Sequence, residues 1–333
     1  MKRQVGPTII YIAAASRSGS TLLEEELSAR LWAENLGEFR RLGDFYHKDQ
    51  RQFIDPKLPT GCSCGEAIGA CPFWSSTADD AGVDLAQVDV SSGLGPVGRL
   101  IFRVLCHTIR PAGVRLLARV IPALRRELAI AKTCFALFDA VGAVTGTKVL
   151  IDASKQVHHF LLLRAYAPER IKFLALTRDG RAVAKSMVRG ERGDMMRVRV
   201  KRRSGKELTS SKALLKSGIA AWRLTILQMA LVRLFLSKRL RYDLRYEDFC
   251  EAPDRHVARI AARFGVPERP EGAPRSRHTI GGSPSRSRAD LQTIRRDDRW
   301  IDEWTSQDEV CFGPLDRAVN RWLGYRSPSR TDL

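Results

Sequence analysis

The apolar run Ile9-Ile10-Tyr11-Ile12-Ala13-Ala14-Ala15 stops abruptly at the small, polar stretch Ser16-Arg17-Ser18-Gly19-Ser20-Thr21. Leu23, Leu27 and Leu31 then recur at four-residue spacing. An unbroken apolar run of this length predicts a strand buried on both faces, and the recurrence predicts a helix whose leucines share one face. Glu24, Glu25 and Glu26 are expected in that helix's first turns, where carboxylates complement the macrodipole. The alternation continues downstream. Val149-Leu150-Ile151-Asp152 and Ile171–Leu176 predict short buried strands, followed respectively by a helix from about Gln156 to Tyr166 and a helix after Arg178-Asp179-Gly180-Arg181. Residues 211–238 read as a long helix carrying Trp222, Leu227 and Leu231. Leu240–Tyr246 alternates like a strand, and Asp254–Phe264 reads as a helix closed by Gly265.

Two stretches interrupt this rhythm. Residues 48–98 are rich in Gly, Pro, Ser and Asp and read as an irregular excursion, whereas 99–146 read as two or three helices with Arg103, Arg110, Arg115, Arg119, Arg125 and Arg126 set among aliphatic residues. No internal repeat is visible. Strands alternating with helices predict a mostly parallel sheet with ligands at the carboxyl ends of its strands. The expected organisation is one domain over 1–333, with 48–146 as a Cys-containing loop and helical cap inserted within it.

The first strand-to-helix turn carries chemistry. Unpaired N–H groups and the helix dipole make such a turn an anion site. It is not a nucleotide P-loop, which needs Gly, four residues, then Gly-Lys-Ser/Thr. Arg17 stands at the loop entrance instead, and its guanidinium fork suits a phosphate or sulfate oxygen pair. An ordinary turn without ligand is the plain alternative.

Charge and cysteine usage narrow the class. The 333 residues carry 56 Lys+Arg against 37 Asp+Glu, a net +19, which suggests an anionic partner: nucleotide, acidic glycan, anionic lipid or nucleic acid. No stretch of about 18 uncharged apolar residues occurs, so no membrane span is expected. Met1-Lys2-Arg3 before Ile9–Ala15 imitates a short signal peptide, but that apolar run is consumed as the first core strand, and a cytoplasmic location is expected. Seven scattered cysteines are not a secreted disulfide framework.

Three strand-end segments belong together: Arg17–Thr21, Asp152-Ala153-Ser154-Lys155, and Arg178-Asp179-Gly180-Arg181-Ala182-Val183-Ala184-Lys185-Ser186. With them the chain resembles the sulfotransferases that use 3′-phosphoadenylyl sulfate (PAPS), especially bacterial and carbohydrate-type members. Cys62-Ser63-Cys64-Gly65, Cys71-Pro72-Phe73-Trp74, Tyr246-Glu247-Asp248-Phe249 and His278–Arg286 extend the likeness over residues 7 to about 305. The resemblance implies a P-loop-related, three-layer α/β fold. It implies that Arg17, Ser18, Gly19, Ser20 and Thr21 hold the 5′-phosphosulfate. Arg178 and Ser186 match the 3′-phosphate ligands, and Arg286 a late loop closing over the nucleotide. Ser283 stands where the family often has Asn. The plain alternative for Arg178 is a surface salt bridge to Asp179 or Asp152.

Sulfuryl transfer is an in-line displacement that needs no metal and no covalent intermediate, and the acceptor hydroxyl must lose a proton. Glu38 matches the family's catalytic base; Arg40 and Arg41 could instead simply pair with it, and Glu34, Asp44, His47, His158 and His159 are substitutes. Lys155, in a segment that resembles the family's Asp-Ser-Ser-Lys with Ala153 in place of a Ser, is the candidate for neutralising the leaving oxygen or the sulfuryl group; a plain surface lysine is the alternative. Cys62, Cys64 and Cys71 with His47 could fill four zinc positions, but Cys-x-Cys is not the usual spacing; reduced thiols or an adventitious disulfide fit as well, and no metal is expected. The basic stretch Arg189–Lys206 reads as a solvated loop or a gate for an anionic ligand, and residues 99–138 as a cap, a packed helical subdomain or a lipid-facing surface. The expected activity is sulfuryl transfer from PAPS to a hydroxyl, less readily an amine, of a carbohydrate, lipid or small-molecule acceptor, with peripheral membrane contact in view and no nucleic acid partner. A P-loop-type kinase and a non-catalytic polyanion binder are the rivals.

Overall fold

The computed structural model describes residues 6–46, 61–90, 92–189, 210–281 and 294–326. Its centre is a five-stranded sheet of β1 (Thr8–Ala14), β2 (Glu34–Gly37), β3 (Val149–Lys155), β4 (Ile171–Thr177) and β5 (Arg241–Arg245). The order is β2-β3-β1-β4-β5 and every pairing is parallel. β1 shows why. Ile9, Tyr11 and Ala13 face one apolar cluster while Ile10, Ile12 and Ala14 face another, so both faces of the strand are buried and helices must cover each. Helix α1 (Ser20–Arg30) covers one face through Leu23 and Leu27, with Leu31 just beyond its end.

The glutamates of α1 differ from expectation. The first turn contains no acidic residue; the three glutamates follow in the second turn, and two of them form ion pairs. Glu26 pairs with Arg30 at 3.0 Å, and Glu25 with Arg275 at 2.5 Å.

The opposite face receives the segment between β2 and β3. It contains α2 (Leu42–Tyr46), α3 (Pro72–Ala81), α4 (Pro96–Thr108), α5 (Pro111–Leu117) and α6 (Pro122–Thr145). Helix α3 lies inside the stretch read as irregular; a proline start, a Gly82 cap and the buried Trp74, Thr77 and Ala78 make it a helix. Phe102, Val114, Leu124, Phe135 and Phe138 join the same cluster as the β1 face, so this excursion is part of the core. Helix α7 (Val157–Tyr166) completes that side, and α8 (Gly180–Val188) and α9 (Ser211–Phe235) pack on each other around Val183, Ile219 and Trp222. By length and composition α6 and α9 could each cross a bilayer; here each lays a face on the core.

The short strand β2 escaped the sequence pattern because its four residues, Glu-Asn-Leu-Gly, look like a turn. It is the sheet's edge, and its outer side is strapped by Ile280: Ile280 N–H donates to Leu36 O at 2.9 Å, and Glu38 N–H donates to Ile280 O at 2.6 Å. Gly37 makes the strap fit. Its φ is +69°, and a Cβ there would lie 2.3 Å from Ile280 O. Gly37→Ala is therefore expected to destabilise the protein by more than about 1 kcal/mol, since an L-residue is strained at this φ and the obstruction is backbone. A denaturant midpoint equal to that of the unsubstituted protein would contradict this account of the strap.

Candidate active site at the carboxyl ends of the strands

Among the described residues, two that are not glycine have a positive φ: Arg17 at +75° and Lys155 at +68°. They stand at the same end of neighbouring parallel strands, Arg17 three residues past β1 and Lys155 as the last residue of β3. Left-handed backbone at a bulky residue costs on the order of 1–3 kcal/mol, and such strain clusters at ligand clamps. After Arg17 the chain turns at Gly19, φ +87°, whose bare Cα lies against the Tyr246 ring; a Cβ would come within 2.4 Å of it. Helix α1 then begins with no side chain capping its N-terminus. Ser18 is buried, and its Oγ has no hydrogen-bond partner. An uncapped helix start, an orphaned buried hydroxyl and the Arg17 guanidinium are the donor set that an anionic ligand requires.

Lys155 Nζ donates to Glu38 Oε1 at 2.5 Å, and Arg41 stands 3.6 Å from the other carboxylate oxygen. Burial alone would raise the Glu38 carboxyl. The Lys155 ammonium and then the Arg41 and Arg40 guanidinium groups outweigh it and hold the carboxyl at about 2. Glu38 is thus an ion-paired carboxylate with both Lys155 and Arg41 in contact.

Below this pair lies a buried polar layer. Asp152 Oδ1 accepts from Ser154 N at 2.8 Å and from Ser154 Oγ at 2.5 Å, while Ser154 Oγ accepts from Arg40 N at 2.9 Å. His159 Nε2 is 3.8 Å from Asp152 Oδ2. Burial pushes Asp152 up to about 7, despite the Ser154 hydrogen bonds, and drives His159 well below its ordinary value. His159 therefore supports the loop from beneath. His158 is likewise buried, 3.5 Å from Glu127.

Arg17 Nε donates to Ser186 Oγ at 3.2 Å, joining the first and third loops. Arg178 is buried. Its fork donates to Arg17 O at 3.1 Å and Asp297 O at 2.7 Å, and its guanidinium lies over Tyr246 at 4.4 Å. Its carboxylate neighbour is Asp297, at 3.6 Å, rather than Asp179 or Asp152. Asp179 caps α8 and takes the fork of Arg181, with bonds of 3.0 and 2.6 Å. Asp297 also faces Arg189 and Arg299, and the Arg299 hydrogen bond, opposed by burial and aided by Arg178, holds its carboxyl at about 2.

Arg17, Ser18, Gly19, Arg178 and Ser186 thus meet in one place, and Glu38 meets Lys155. Ser20 and Thr21 open α1 beside them. Arg286, His47 and most of Arg189–Lys206 lie outside the described residues. Glu34 is held by Arg269 at 3.1 Å and Asp44 by Arg41 at 3.7 Å. Asp297 and Tyr246 were not singled out as site residues; the sequence hinted at Asp297 only through the mixed charge run Arg296-Asp297-Asp298-Arg299. Among the described residues, the three clustered cysteines meet His278; His47, the fourth position weighed from the sequence, lies outside them.

A family model described as the sulfotransferase family matches residues 7–270. Among solved structures, a sulfotransferase domain from the curacin biosynthetic pathway aligns with a TM-score of 0.50 at 16% identity, over 97% of this chain and 99% of that one. A sulfotransferase domain from the Synechococcus PCC 7002 olefin synthase aligns with a TM-score of 0.48 at 18% identity, over 98% and 99% of the two chains. The first of these is a likeness of fold. No curated protein sequence matches the chain.

The raised Asp152 carboxyl makes a signed prediction. Its proton is held more tightly in the fold than in the unfolded chain, where an aspartate titrates near about 3.9. That contribution is complete below the unfolded value and is lost as pH rises through about 7. Asp152→Asn removes the titration, so its thermal midpoint should gain on that of the unsubstituted protein between about pH 4 and pH 7. A gap that does not change with pH would show that the carboxyl titrates normally.

Proposed function

The chain belongs to the sulfotransferase family, and from that premise we propose that it transfers the sulfuryl group of PAPS to an alcohol. One observation carries the reading: the strained basic residues Arg17 and Lys155 end adjacent parallel strands, and the ammonium of Lys155 holds the Glu38 carboxylate. The donor set fits a phosphosulfate nucleotide through the uncapped α1 start, Ser18 Oγ and Arg17 at the 5′ side, and through Arg178 and Ser186 at the 3′ side. Ser20, Thr21 and the Arg286 loop are assigned to the same ligand.

The donor, when bound, supplies an activated sulfuryl group with a phosphate oxygen as leaving group. Lys155 then has two anions to serve. As its ammonium turns to the leaving oxygen, Glu38 loses its strongest cation, and the carboxyl rises towards ordinary basicity. It can then take the proton of the attacking hydroxyl. The ion pair thus keeps the base weak until the cation is needed elsewhere. No metal ion is required for this chemistry.

The acceptor is a small-molecule, glycan or lipid alcohol. An exposed apolar face favours including lipids: Val97, Leu100, Ile101 and Val104 on α4 lie with Arg99 and Arg103 on one helix. The exposed end of α9 joins α4 through Phe235 and His107, whose rings are 5.2 Å apart. Such a face suits peripheral contact with an anionic bilayer.

Calorimetric titration tests the donor. Adenosine 3′,5′-bisphosphate should bind more tightly than AMP or ATP, without magnesium, and Arg178→Ala should weaken the bisphosphate by roughly 1.5–3 kcal/mol while barely changing AMP. Preference for magnesium-ATP would overturn the reading in favour of a kinase. Equal loss for both ligands would confine Arg178 to holding the Arg17 carbonyl.

The base is tested once labelled donor has been screened against sugar alcohols and alcohols embedded in anionic vesicles. Glu38→Gln should keep donor affinity and lower turnover about 10²–10⁴-fold. Near-normal turnover would clear Glu38 of this role.

A further inference from the structure

Away from the strand-end site, the segment after Gly61 and the segment before Gly281 are laced together. Ser63 N–H donates to Thr279 O at 3.0 Å, and Thr279 N–H donates to Ser63 Oγ at 2.8 Å. This brings Cys62, Cys64 and Cys71 to His278, more than two hundred residues on, with all four ligand atoms within 4.8 Å of one another. The Sγ atoms of Cys62 and Cys71 are 3.6 Å apart, and those of Cys64 and Cys71 3.7 Å; His278 Nδ1 is 3.6 Å from Cys62 Sγ and 3.3 Å from Cys71 Sγ. A tetrahedral zinc ion with its usual bond lengths requires S···S edges of about 3.8 Å and S···N edges of about 3.5 Å. Hydrogen bonding between thiols imposes no such common centre. The Phe73 ring lies parallel to the imidazole, 4.7 Å away at 5°, and fixes the plane in which Nδ1 points at the sulfurs.

We propose that Cys62, Cys64, Cys71 and His278 form a closed, structural Zn²⁺ site. Three thiolates and one imidazole in tetrahedral array select zinc over harder cations, and four protein ligands leave no open position for catalysis. The ion's work is mechanical. It pins His278 two residues before Ile280, whose carbonyl accepts the Glu38 N–H, so the metal fastens the strap that holds the candidate base. Cys62 also bridges directly to Ile280.

The test uses the full-length protein purified without chelator. Elemental analysis should find about one zinc per chain, the complement of a closed four-ligand site. Cobalt reconstitution should give the intense thiolate charge-transfer and tetrahedral d–d bands. Cys64→Ser alters the exposed ligand with least disturbance to the core; it and His278→Ala should lose most of the zinc and the cobalt spectrum, while Cys106→Ser, at a remote buried cysteine, keeps both. Three outcomes would overturn the proposal: free thiols with no zinc retained after reconstitution, a disulfide among Cys62, Cys64 and Cys71 in the native protein by mass spectrometry, or zinc that survives both ligand substitutions.

Discussion

The contact between Lys155 and Glu38 is the constraint around which this end of the molecule is organised. It joins the end of a central strand to the end of the edge strand, at 2.5 Å, in a largely buried setting. Removing either partner of a pair so placed is costly, because the survivor is a buried, uncompensated charge. The pair is worth much as a switch, because any anion that attracts the ammonium strengthens the carboxylate as a base. The strained backbone at Lys155, the Arg40 amide bonded to Ser154, and the buried Asp152 all serve to keep the two groups facing each other.

Charge is distributed in a way that a net value conceals. A surplus of 19 positive charges suggests a diffuse basic surface. Yet the arginines nearest the site are largely committed: Arg178 to two carbonyls and an aromatic face, Arg181 to the cap of a helix, Arg189 to Asp297 and Glu303. Their first task is to hold loops in place. Ser18 Oγ and Arg178 Nε, by contrast, are buried donors left without a hydrogen-bond partner.

Much of the sheet was legible because both of its faces are buried. Continuous apolar runs mark β1, β3 and β4, and leucines at four-residue spacing mark α1. The strand-end loops were legible because their residue types fit one chemistry and resemble one family. What stayed hidden depends on contacts distant in sequence. β2 is a strand because β3 pairs with it and Ile280 straps it. Helix α3 forms on the core beneath a Gly- and Pro-rich stretch, and the short helices after Trp300 carry no long periodic signal. The meeting of the three cysteines with His278 could not be read, since more than two hundred residues separate them in sequence.

The strap has a consequence for how such a protein can diverge. The family match proper ends at residue 270, with only the short His278–Arg286 likeness after it, yet His278, Ile280 and Asp297 each reach the site from beyond that point. The scaffold that carries the strand-end loops and the chain that braces them are therefore separate stretches of sequence. Substitutions after 270 can retune the set of Glu38 and the grip on Arg178 while every strand and loop of the shared region stays as it is. The stretch after residue 270 acts as an adjustable brace on a fixed frame, and the frame alone does not set the site's alignment.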